Sequence, residues 1–94
     1  MSDITISDFY CVFCGKKGIP IPRKNGQARE GGHLKKMYCL NCKRETNMVE
    51  IKGYGFYTKA FFDKERKFNN FDKEGNRILE IGQFKSKLNA LGEL

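Results

Sequence analysis

Two stretches decide how this chain is read: YCVFCGKKGI (10–19) and MYCLNCKRET (37–46), each of which sets two cysteines three positions apart directly after a tyrosine. One such turn by itself serves a metal, a redox disulfide or neither. Two of them, spaced C-x2-C-x24-C-x2-C over Cys11, Cys14, Cys39 and Cys42, supply the four thiolates that a tetrahedral Zn²⁺ accepts. A thioredoxin-like redox turn opens a helix behind a buried strand, whereas these are followed by Gly15-Lys16 and Lys43-Arg44 and then by extended sequence. The spacing predicts a single structural Zn²⁺ in a closed four-cysteine shell with no open position for a substrate or water. Iron takes the same four thiolates, so the donor set leaves zinc or iron open.

A chain of 94 residues has material for one small core, and chains of this size bury only roughly 60 to 65% of the surface their unfolded form exposes. A metal staple is a natural supplement to packing at this size. Charge is uneven along the chain. Of the 18 Lys and Arg and 11 Asp and Glu that give a formal +7, ten bases and three acids lie in residues 16–52, which follow directly on the first cysteine pair and carry the second. Residues 53–94 hold eight bases and six acids, and residues 1–15 only two acids. A basic segment around a metal site fits either an anionic partner such as nucleic acid or a solubilising surface. There is no apolar run long enough to span a bilayer, and MSDITISDFY lacks the basic start and apolar run of a secretory signal. The expectation is a cytoplasmic protein with reduced thiols.

Ile4, Ile6 and Phe9 suggest a short leading strand. The Ile19-Pro-Ile21-Pro22 segment reads as an edge strand, because proline withdraws a ladder donor. RKNGQAREGGH (23–33) is loop chemistry. From Thr46 to Lys52 the alternation of Met48 and Glu50 with Val49 and Ile51 predicts a strand with one buried face. Past Gly53 the period changes: Tyr57, Ala60, Phe61, Lys64 and Phe68 predict an aromatic-faced helix over 57–68, stopped at Asn69-Asn70. Asp72-Lys-Glu-Gly75-Asn is a turn, and Phe84, Leu88 and Leu91 predict a last helix. The fold class expected is small α+β, a four-cysteine antiparallel zinc ribbon with a C-terminal helical extension. It is read as a single domain of 94 residues, with the ribbon over 8–52 and an aromatic-rich extension over 53–94 packed on it.

Around the second cysteine turn, LKKMYCLNCKRET (34–46) resembles the zinc-bearing ribbon members of a family of small bacterial large-subunit ribosomal proteins, through Leu34, Lys35, Lys36, Tyr38, Cys39, Cys42, Lys43, Arg44, Thr46 and Glu50. Those chains carry a histidine near the position of Asn47 or Met48 and end soon after the second ribbon strand, whereas 42 residues follow Lys52 here. Over its whole length the chain resembles small zinc-ribbon proteins of phages and mobile elements of Gram-positive bacteria. The approach to the second turn, Arg29 to Leu34, and the acidic aromatic FDKEGNR (71–77) carry that resemblance. It implies a ribbon and a phage setting without specifying an activity.

Two functions follow from these residues. The first is nucleic-acid binding, RNA or DNA, in which Lys16, Lys17, Arg23, Lys24, Arg29, His33, Lys35, Lys36, Lys43 and Arg44 meet phosphates. Tyr10 and Tyr38 then either stack on bases or pack beside the metal site. The second is a phage-type protein-interaction module that binds and modulates a host machine such as RNA polymerase, the ribosome or a protease. Seven aromatics between Tyr54 and Phe71 either form the core beneath the ribbon or leave Phe62 and Phe71 exposed for partner docking. An enzyme is not expected: His33 is the single histidine, every cysteine is a metal ligand, and no acid–base pair or small-molecule pocket emerges from the pattern.

Overall fold

The computed structural model describes residues 4–24, 31–52 and 55–93, without the side chains of Ile4, Thr5, Arg23 and Lys24. Four strands come first: β1 (Ile4–Cys11), β2 (Ile21–Lys24), β3 (Leu34–Cys39) and β4 (Arg44–Ile51). Two helices follow, α1 (Lys59–Lys67) and α2 (Ile81–Ala90). The fold is small α+β, an antiparallel sheet followed by helices, as the sequence pattern predicts.

The sheet runs in the order β2-β1-β4-β3. β1 divides its length between two partners: Ile4 to Ser7 pair with β2, and Asp8 to Cys11 pair with β4. The chain therefore curls where one ladder hands over to the next. The proline-bearing β2 sits at an edge, where its missing donor costs no ladder bond. Cys11 stands opposite Met48, and Cys39 opposite Arg44, so the cysteine turns emerge at the same end of the sheet.

β4 departs from the expected single buried face. From Met48 to Ile51 every residue is buried, because each face of the strand covers a different cluster. Met48 packs with Phe9, Cys11 and Cys39, while Val49 and Ile51 join Phe61, Phe62, Phe84 and Leu88 of the helical half. Over these four residues the strand lies between the cysteine cluster and a helical layer, so its alternation separates two cores instead of core from water.

α1 begins at Thr58, whose hydroxyl accepts the Phe61 amide at 3.2 Å, and Lys64, Arg66 and Lys67 in its last turn oppose the negative end of the helix dipole. It stops where expected, with Asn69 in the left-handed region at φ 57°. α2 starts at Ile81, one turn before the Phe84 that announced it, since the Glu80 amide donates to Gln83 Oε1 at 3.1 Å and caps the first turn. Of its apolar stripe, Phe84 and Leu88 are buried and Leu91 is 55% exposed. No described helix is long and apolar enough to cross a membrane.

Of the two aromatic docking candidates, Phe62 is interior and Phe71 is not fully so. Phe62 is fully buried, and the half-buried Phe71 lies against it with ring centroids 6.0 Å apart. A side chain with no exposed surface cannot anchor a partner. Tyr54 lies outside the described residues, and Phe56 is 47% exposed.

The interface between sheet and extension also carries a buried polar network. Glu65 on α1 is fully buried and accepts from the Arg77 guanidinium at 2.8 and 3.0 Å, from Asn70 Nδ2 at 2.7 Å and from the Tyr57 hydroxyl. Arg77 also donates to the Gly32 carbonyl at 2.7 Å, which fastens the extension to the turn before β3. Burial next to the Glu65 carboxylate pushes the Tyr57 hydroxyl well above its ordinary pKa. Tyr57 therefore stays a donor throughout the working pH range.

Candidate metal centre

The cysteines of the two turns converge. Their four Sγ atoms lie within 4.8 Å of one another, with Cys11 to Cys42 at 3.8 Å and Cys14 to Cys39 at 3.6 Å. A tetrahedral tetrathiolate with bonds of about 2.3 Å has sulfur-to-sulfur edges of about 3.8 Å. The cluster has the size of a metal shell, and Cys11, Cys14, Cys39 and Cys42 can hold one ion.

The backbone explains why both turns point their sulfurs inward. In the first, the Gly15 amide donates to the Cys11 carbonyl at 2.8 Å, and in the second the Lys43 amide donates to the Cys39 carbonyl at 2.7 Å. Each turn ends on a left-handed residue, Gly15 at φ 75° and Lys43 at φ 58°. Glycine adopts this conformation without cost, whereas lysine is strained in it. Amides also face the sulfurs: Lys16 N lies 3.4 Å from Cys14 Sγ, and Cys42 N lies 3.4 Å from Cys39 Sγ. Such donors spread the charge of a thiolate.

The thiols are not equivalent. Burial disfavours a thiolate at Cys11, yet donation from the Thr46 hydroxyl, 3.2 Å away, and from the Cys14 and Phe13 amides outweighs it and brings the thiol down to about 7. Loss of water and the neighbouring sulfurs push Cys42 up to about 12. One thiolate thus suppresses the next, and a cation among them removes the conflict. This donor set fits a soft, closed-shell metal site.

Support for the first turn comes from the far end of the chain. Arg66 on α1 donates through Nε to the Val12 carbonyl at 3.3 Å and through Nη2 to the Phe13 carbonyl at 3.1 Å. The tight Asp72–Asn76 turn packs alongside, where a Cβ on Gly75 would stand 3.1 Å from both Val12 and Phe13. Asn47 Nδ2 binds the Gly75 carbonyl at 2.9 Å, and the Arg44 guanidinium lies 4.6 Å from the Phe13 ring centre. Arg66 did not stand out in the sequence, and Thr46 did so only as a strand residue and in a family resemblance, because their roles here depend on which distant carbonyl or sulfur they meet. The left-handed place of Lys43 was open to detection, since aligning the two turns sets it opposite Gly15.

Lys16, Lys17, His33, Lys35, Lys36, Lys43 and Arg44 are all exposed. Lys16 and Lys17 follow the first turn and Lys43 and Arg44 the second, so all four are next in the chain to the cysteine cluster. Lys17 pairs with Asp8 at 3.3 Å across a half-exposed contact, which costs little to open. His33 stands before β3, outside the cluster. Arg29 and the side chains of Arg23 and Lys24 lie outside the described residues. Tyr10 is half-buried, 6.1 Å from Phe62 on the helical side, while Tyr38 is 55% exposed. In comparison with known proteins, no family model, curated protein or solved structure is significantly similar to this chain.

Proposed function

We propose that this protein is a zinc-stabilised, non-enzymatic ribbon that binds nucleic acid, RNA or DNA, through the basic surface around its cysteine turns. The observation that carries the reading is the set of exposed cations, Lys16, Lys17, Lys43 and Arg44, that directly follow the two cysteine turns whose four sulfurs meet. Zn²⁺ would be held by Cys11, Cys14, Cys39 and Cys42 and would hold the two basic turns at a fixed separation, so its part is structural. Lys35 and Lys36 on the edge strand β3 add exposed positive charge, one on each face of the strand. Phosphate binding there releases condensed counterions and needs no catalytic group.

The protein-docking alternative, directed at a host machine in a phage setting, drew on the aromatics between Tyr54 and Phe71, of which Phe62 is fully buried, Phe71 half-buried and Phe56 47% exposed, so the exposed cations are the better supported surface. The test is binding of the zinc-loaded protein to bacterial RNA and to DNA across a salt series. Affinity is expected to fall with salt by a slope of about 0.7 to 0.9 per phosphate contacted, and to collapse in a Lys16→Glu/Lys43→Glu/Arg44→Glu variant that retains its metal. Salt-independent binding, or no loss in that variant, would overturn the reading. A single host protein retained through nuclease and moderate salt would favour docking instead.

A further inference from the structure

A groove of about 540 Å³ opens beside the cysteine cluster, and Lys16, Lys17, Ile19, Tyr38, Leu40 and Met48 are among the residues that line it. Its composition is unusual for a solvated surface. Ile19 is 66% exposed, Leu40 76% and Tyr38 55%, so three of the large exposed apolar side chains of the described residues gather at one depression. The cations Lys16 and Lys17 line the same groove, and no acidic residue among the described ones lines it. Leu40 occupies the tip of the second cysteine turn, where nothing in packing calls for a leucine.

We propose that this groove is a binding site for an unpaired nucleic-acid strand, with bases laid against Ile19 and Leu40 and phosphates held by Lys16 and Lys17. The inference rests on the nucleic-acid reading above and goes further by naming the form of the ligand and the residues that touch it. A duplex presents charged backbone and base edges and keeps its flat apolar faces stacked inside, so it has nothing to offer exposed isoleucine and leucine. An unpaired strand turns out the faces of its bases. Those faces take apolar or aromatic contacts with little regard to sequence, while the backbone follows a positive groove. The mixture of side chains here matches that ligand in both respects: apolar residues where bases would lie and cations beside them, with Lys17 exchanging its half-exposed contact with Asp8 for phosphate. Because the metal ties the Leu40 turn to the turn preceding Lys16, the two walls of the groove are set by the cysteine cluster itself.

The test uses the zinc-loaded full chain and fluorescence anisotropy with labelled oligouridylate and oligothymidylate of about 12 nucleotides, within the usual range of strand-binding sites, beside a duplex of equal length. The strands are expected to bind at least about tenfold more tightly than the duplex. Leu40→Ser and Ile19→Ser should each weaken strand binding about tenfold without changing the salt slope, and Lys16→Gln should lower that slope by close to one contact. Leu40 and Ile19 are exposed, so metal content and melting temperature should stay as in the parent, which keeps the result interpretable. Equal affinity for strand and duplex, or unchanged strand binding in both serine variants, would overturn the groove while leaving a basic nucleic-acid-binding surface intact. Absence of binding to any of the three probes would remove the nucleic-acid reading and this inference together.

Discussion

At the scale of single residues, the two cysteine turns are the same backbone built with different chemistry. Gly15 and Lys43 hold equivalent left-handed positions, so substitutions there should have opposite signs. Gly15→Ala places a Cβ 2.5 Å from Arg66 Nη1 at φ 75° and is expected to cost about 1 to 2 kcal/mol, through strain and the displaced guanidinium. Lys43→Gly should leave stability unchanged or raise it by up to about 1 kcal/mol, because relief of strain outweighs the entropy of glycine in the unfolded chain. Chemical denaturation of the two variants checks both signs. Thr46→Val removes the hydroxyl that helps bring Cys11 down to about 7, so that thiol rises. Protons then compete better for the sulfur, and metal affinity near neutral pH should fall about tenfold. The difference should narrow as the pH climbs, which competition with a chromophoric chelator at several pH values would reveal. A difference that widened with pH would contradict this assignment.

At the scale of elements, α1 acts as a strut between the metal turn and the polar network. Arg66 faces outward from it to Val12 and Phe13, and Glu65 faces inward to Arg77. Arg77→Ala leaves the Glu65 carboxylate buried without its counter-charge and is expected to cost about 3 to 5 kcal/mol in thermal or denaturant melts. Glu65→Gln with Arg77 retained should also destabilise, and the double variant should recover part of the loss, as coupled partners do. Phe62→Ala is expected to cost about 3 to 5 kcal/mol by opening a cavity. It should therefore act on stability, where an exposed docking residue would act on binding alone. These elements were partly visible beforehand. Thr58 and the Asn69-Asn70 stop bound α1 by local chemistry, and local chemistry is what sequence reports. The early start of α2 escaped the apolar spacing because the Glu80 and Gln83 cap is polar and adds nothing to a hydrophobic period.

At the scale of the molecule, two cores share one sheet. The cysteine cluster packs with Phe9 and Met48 on one side, and the helices bury Val49 and Ile51 on the other, with Phe13 touching both. Removal of the metal by a strong chelator is therefore expected to loosen the cysteine side first. Hydrogen exchange should quicken at β3 and at the last residues of β1, while amides of α1 keep most of their protection. Equal loss at α1 would mean that the two cores melt as one. Acid should act like the chelator, since the ligands bind metal only as thiolates, and metal retention should fall steadily as the pH drops below neutral.

What the sequence determined by itself was whatever depends on spacing along the chain: the two cysteine pairs, the edge-strand prolines, the period of the aromatic helix, and the concentration of bases around the metal turns. These follow from covalent geometry, so they are legible in one dimension. Tertiary structure alone decided which aromatics are hidden, that Met48 to Ile51 of β4 are covered on both faces, that Arg66 and the Asp72–Asn76 turn brace the first cysteine turn, and that Ile19 and Leu40 line one groove with Lys16. Each of these is a contact between residues far apart in the chain. Amphipathic period shows that a residue has an apolar side but not what will cover it, and that choice is made only when the sheet, the helices and the metal site close on one another.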